Sequence, residues 1–118
     1  MTSYNYATIT EAAIYKRPKQ SGPNLVGHWG VMVNVEGHGK YLIHNTPESG
    51  TVATAASDMS PKWSLVSSLP VRSNKTIRGC MQASGGAHTN YVSSALARYI
   101  MGDTCVGTAA AIGQYLID

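Results

Sequence analysis

The chain has 118 residues, of which 43% are hydrophobic and 13% charged. That suits one folded domain with a single core and excludes a disordered chain or a two-domain enzyme, with disorder expected at most at the termini. Its net charge of +3 comes from 9 Lys and Arg against 6 Asp and Glu. The only basic cluster, Lys16, Arg17 and Lys19, lacks the basic stripe and interleaved aromatics of a dedicated nucleic-acid binder, though it leaves an acidic membrane surface or a phosphate ligand open. Two cysteines, Cys80 and Cys105, do not make a disulfide framework, so a reducing, cytoplasmic setting is expected. No run approaches the roughly 20 apolar residues of a membrane span, and Met1 to Tyr6 lacks a basic-then-apolar signal pattern.

In chain order, Ala7 to Tyr15 mixes Thr and Ile with Ala and ends before Lys16-Arg17-Pro18, which predicts a strand stopped by proline. Lys19 to Gly27 carries Ser21-Gly22-Pro23-Asn24 and reads as a loop. From His28 to Val35, Trp29, Val31, Val33 and Val35 alternate, which predicts a second strand. The turn signal Glu36-Gly37-His38-Gly39 joins it to Lys40-Tyr41-Leu42-Ile43-His44, completing a β-hairpin that brings His28 and His44 onto adjacent strands with the same parity.

Asn45 to Thr54 reads as an irregular link, and Thr51 to Ala56 is ambiguous. Lys62 to Ser68 predicts a strand around Trp63, Leu65 and Val66, and Val71 to Cys80 one more before the loop Ser84-Gly85-Gly86. The period then changes. Tyr91, Val92, Ala95, Leu96, Tyr99 and Ile100 recur at helical spacing, predicting a helix over 89–101 that stops at Gly102. Asp103 can cap a second helix whose Cys105, Ala109, Ile112 and Leu116 share one face. Strands first and helices last predict an α+β domain, an antiparallel sheet of four to five strands packed against C-terminal helices.

The chemistry suggested by these elements is that of a thiol. Cys105 in a first helical turn feels the positive end of the helix dipole, which favours the nucleophilic thiolate, although the Asp103 carboxylate opposes it. His28, at the start of a strand, can stand at the sheet rim as general base, and His44 can hydrogen-bond its second nitrogen and hold the tautomer. Each residue alone also fits an inert role: a buried thiol, a satisfied strand histidine, a sheet-end residue. His38 and His88 lie in Gly-rich turns and read as surface residues. No Cys-x-x-Cys or His-Glu-x-x-His spacing supports a metal site, and no Gly-x-Ser-x-Gly elbow or phosphate loop occurs, so no cofactor is expected.

Three segments carry a resemblance: Ile14-Tyr15-Lys16-Arg17-Pro18, His28-Trp29-Gly30-Val31-Met32-Val33, and Tyr41-Leu42-Ile43-His44-Asn45-Thr46-Pro47-Glu48. Together they resemble the H-box region of the lecithin:retinol acyltransferase-like proteins. These form a circularly permuted NlpC/P60 branch of papain-like folds, in which histidine precedes cysteine. The picornaviral H-box/NC proteins are similar too. The resemblance covers about the first 50 residues and returns around Cys105. It implies His28 as general base, His44 as the orienting third residue and Cys105 as nucleophile.

The family's Asn-Cys-Glu-His-Phe box is here Thr104-Cys105-Val106-Gly107-Thr108, keeping only the cysteine, and a hydrophobic C-terminal anchor like that of lipid-acting members is not expected. Asp103-Thr104-Cys105-Val106-Gly107 is loosely similar to the Asp-Cys-Ser-Gly start of NlpC/P60 nucleophile helices. Two functions follow. One is a cysteine hydrolase or acyltransferase acting on an ester or amide, a lipid among the candidates. The other is a non-catalytic viral or regulatory module that binds a protein or RNA partner through the basic Lys16 to Lys19 turn.

Overall fold

A computed structural model of the chain describes residues 3–18, 28–46, 50–84 and 104–118. Five strands form one antiparallel sheet: β1 (Ile9–Arg17), β2 (His28–Val35), β3 (Gly39–Thr46), β4 (Gly50–Ala55) and β5 (Ser64–Leu69). Their spatial order is β4-β3-β2-β1-β5, so β2, the strand that opens with His28, lies at the centre. The hairpin closes where expected. Gly37 and Gly39 adopt φ of 76° and 87°, values that β-branched neighbours cannot reach, and the His38 amide donates to the Val35 carbonyl at 2.9 Å.

Strand alternation divides the side chains between two faces. Val31, Val33 and Val35 of β2, Ile43 of β3 and Ala12 of β1 form one buried layer. Met32 and Leu42 point the other way and are covered by Trp63, with Tyr15 and Met59 beside them. Because both faces of β2 are covered, Val31 and Val33 are wholly buried and Met32 is only 8% exposed.

Two helices cover the first face: α1 (Ile77–Ala83) and α2 (Thr104–Ile117). Ala109, Ile112 and Leu116 recur on one side of α2 and join the valine layer, as the 3.6-residue period requires. Burying each of the larger side chains contributes about 1.5–3 kcal/mol. The last turn of α2 is tied down by the Leu116 carbonyl, which accepts from the Arg72 amide at 2.9 Å, and by the Tyr115 hydroxyl, which accepts from the Thr76 amide at 3.3 Å.

The domain is therefore α+β, with a five-stranded antiparallel sheet. Several boundaries differ from expectation. β1 runs to Arg17 rather than stopping at Tyr15, β4 occupies the stretch that read as irregular, and β5 begins after Trp63. The strand expected over Val71 to Cys80 is instead a turn followed by α1. Asn74 takes φ 65°, and the Thr76 side chain accepts from the Gly79 amide at 3.0 Å, an N-cap that starts a helix and sends Ile77 and Cys80 into the core. The helix expected over 89–101, Asp103 and His88 lie outside the described residues. Among the described residues no helix is long and apolar enough to cross a membrane.

Candidate active site

His44 lies on β3 opposite Gly30 of β2 and Val52 of β4. Two strand positions along β4 from Val52, on the same face, is Thr54, whose Oγ1 stands 3.1 Å from His44 Nε2. The Trp63 ring meets the imidazole edge-on, with centroids 5.6 Å apart and planes at 69°. A hydrogen-bond partner on one nitrogen and an aromatic wall thus fix where the ring stands. The His44 pKa is lowered, first by burial, then by electrostatic coupling to Arg17 and to His28. At neutral pH His44 is an uncharged imidazole.

Glycine opposite His44 has a steric reason. A Cβ on Gly30 would meet the Ile43 carbonyl oxygen and Leu42 Cδ1 at 3.1 Å and His44 Cβ at 3.2 Å. The His-Trp-Gly motif therefore divides its work. Its tryptophan packs with the helix-side core, its glycine leaves room for His44, and its histidine shares the face of His44 by parity.

His28 is the first residue of β2 and pairs with Arg17 at the end of β1. Arg17 stacks its guanidinium over Trp63, 5.5 Å from the ring centroid, so one tryptophan supports both Arg17 and His44. Arg17 Nε is buried without a hydrogen-bond partner. Its neighbour Lys16 points to the other face, with Nζ 6.0 Å from the Trp29 ring. Lys16 and Arg17 are thus committed to aromatic faces.

Cys105 is the second residue of α2, in its first turn, and its side chain lies outside the described residues. The core residues of α2 pack on the valine face, whereas His28 and His44 share the face of Met32, Leu42 and Trp63. The structure thus places the two histidines on one sheet face, and gives Cys105 a helix-start position. Cys80 is a different kind of thiol. It is wholly buried between α1 and the sheet, and burial pushes its pKa up to about 12.

Arg17, Thr54 and Trp63 were not read from the sequence as neighbours of the site. Thr54 had a signal in its parity with His44, but using it required the β3–β4 register. Trp63 had none, because it precedes β5 and reaches His44 only through the folding of 56–63 beneath the sheet.

Among known proteins, the uncharacterized protein R800 of Acanthamoeba polyphaga mimivirus is 35% identical over 114 residues, spanning 92% of this chain and 92% of the relative. The chain belongs to that family. A match over nearly the full length of both makes them domain-for-domain counterparts rather than proteins sharing a motif. No family model matches the chain, and no solved structure matches it.

Proposed function

We propose that the chain is a cysteine-dependent acyl-transfer enzyme, a thiol hydrolase or acyltransferase built on a circularly permuted NlpC/P60, papain-like domain. Cys105 is its nucleophile, His28 its base and His44 the residue that orients His28. The observation that carries this reading is the coupled pair: His28 and His44 share one sheet face, and Thr54 and Trp63 hold a neutral His44 in place. His28 opens β2 and so stands at the sheet rim, where an imidazole can meet a helix N-terminus.

In the reaction, the Cys105 thiol gives its proton to His28, and the thiolate forms a C–S bond to the carbonyl carbon of an ester or amide. The His28 imidazolium then protonates the departing alcohol or amine as the C–O or C–N bond breaks, leaving an acyl-enzyme. Water or an acceptor nucleophile, deprotonated by His28, releases the acyl group and restores the thiol. The backbone N–H of Cys105 is a natural donor to the oxyanion. We propose that the chain acts in the cytoplasm of an infected host, a reading that the viral source of the related R800 supports.

One observation favours the second reading, a non-catalytic H-box/NC module that binds protein or RNA. α2 covers the sheet face opposite the two histidines.

Alkylation by iodoacetamide near pH 6, followed by peptide mass analysis, separates the two readings. An enzyme labels fast at Cys105, and His28→Ala slows that labelling. An activated ester then adds an acyl mass to the wild-type protein but to neither Cys105→Ala nor His28→Ala. Slow labelling of Cys105 that is indifferent to His28 overturns the enzyme reading.

A further inference from the structure

The sheet has two edges, and they differ. Its order, β4-β3-β2-β1-β5, puts β4 at one end and β5 at the other. Every position of β4 is buried or half-buried, whereas Ser64 to Ser68 of β5 are all exposed. Two of the four large hydrophobic side chains exposed among the described residues stand side by side there: Leu65 is 58% exposed and Val66 43%.

β1 supplies one side of β5, from Ala12 opposite Leu69 to Lys16 opposite Ser64. Among the described residues no other backbone reaches Ser64 to Leu69, so the N–H and C=O groups of alternate residues point outward from the sheet. Such a row is a template for one more strand.

Folded proteins ordinarily protect an edge of this kind with lysine, proline, a bulge or a covering element. The bulge is present, because β1 pairs Tyr15 with Leu65 and Ile14 with Ser67 and leaves Val66 as the extra residue. It adds twist but no charge. Ser64-Leu65-Val66-Ser67-Ser68-Leu69 contains neither a charged residue nor a proline.

The same composition selects the strand that fits. A foreign strand is chosen by pockets and charges beside an edge, and β5 has no charge with which to choose one. In a chain of net charge +3, an uncharged strand is where two copies approach with least repulsion. A second β5 laid antiparallel across a two-fold axis sets no like charges opposite one another, and each copy satisfies the other's outward backbone groups.

We propose that β5 is the interface of a homodimer, in which two copies pair edge to edge and antiparallel to make one continuous sheet. Six residues span only about 20 Å, which buries less than the roughly 800 Å² per partner of a standard interface, so the dimer is weak and concentration-dependent. The interface is independent of the histidine pair and stands whether or not the chain is an enzyme.

The test is sedimentation equilibrium of the full chain from roughly 10 μM to 1 mM, with amide hydrogen exchange at both ends of that range. A monomer–dimer equilibrium is expected, with the amides of 64–69 better protected at the higher concentration. Leu65→Lys and Val66→Lys each weaken dimerisation about tenfold or more, because the two-fold axis brings a charge from each copy to one edge. Glu36→Lys, at the exposed hairpin turn, leaves it unchanged. Leu65 and Val66 are exposed, so both lysine variants fold, and circular dichroism checks that they do. Three results overturn the proposal. A monomer throughout, with freely exchanging 64–69 amides, leaves the edge to a foreign strand; a monomer with those amides protected assigns it to another segment of the same chain; and a dimer indifferent to both lysines lies elsewhere on the surface.

Discussion

His44 on β3 and Thr54 on β4 stand 3.1 Å apart, Nε2 to Oγ1, on the sheet face that Trp63 covers. This contact fixes an imidazole that burial and the neighbouring Arg17 and His28 keep neutral, and pH dependence follows from it.

His44 titrates below the ordinary imidazole value of about 6.5. Between its folded pKa and that value the unfolded chain binds more protons than the folded one, so stability rises with pH across that window. The contribution is fully present above about pH 6.5 and is lost as pH falls through the window toward the folded pKa. Arg17→Gln removes the nearby guanidinium charge and raises the His44 midpoint. NMR titration of the imidazole protons checks this, and a midpoint unmoved or lowered by the substitution is the contrary result.

Gly30→Ala places a methyl group 3.1–3.2 Å from Leu42, Ile43 and His44. Backbone and imidazole must then separate, at a cost of about 1–3 kcal/mol in denaturant unfolding, with a shift in the His44 ring resonances. If His44 is the orienting residue, acyl-enzyme formation falls with it. An alanine variant with native stability and an unshifted His44 removes the steric explanation of this glycine.

The two cysteines separate by environment. Cys80 is wholly buried with a pKa pushed up to about 12, so at neutral pH it alkylates only when the domain unfolds. Labelling of Cys80 in the native protein therefore tracks denaturant concentration, whereas labelling of an activated Cys105 does not. Rapid native-state modification of Cys80 contradicts its placement in the core.

Gly79 gives Tyr115 its seat, since a Cβ there collides with the tyrosine hydroxyl and ring. Alanine in a helix ordinarily gains about 1 kcal/mol over glycine. Here the overlap, and loss of the bond from the Thr76 amide to the Tyr115 hydroxyl, outweighs that gain and leaves Gly79→Ala about 1–3 kcal/mol less stable. Tyr115→Leu in the Gly79→Ala background recovers part of the deficit. Thermal and urea unfolding of the two variants measure both effects, and a stabilised single variant is the opposite outcome.

Local pattern decided much of this molecule. Alternation from His28 to Val35, the glycine turn at 37–39 and the parity shared by His28 and His44 led directly to the central hairpin. The spacing of Ala109, Ile112 and Leu116 led to α2, with Cys105 in its first turn. These are short-range regularities, set by two- and 3.6-residue periods and by left-handed φ, so a string of residues carries them. Val71 to Cys80 escaped that logic, because a single cap at Thr76 made a helix where the apolar content suggested a strand.

The folded chain alone decided what surrounds His44. Its partners come from β4, from the end of β1 and from the segment before β5, and inter-strand register brings them to one face. Burial and long-range register are properties of the whole sheet, which no local period encodes.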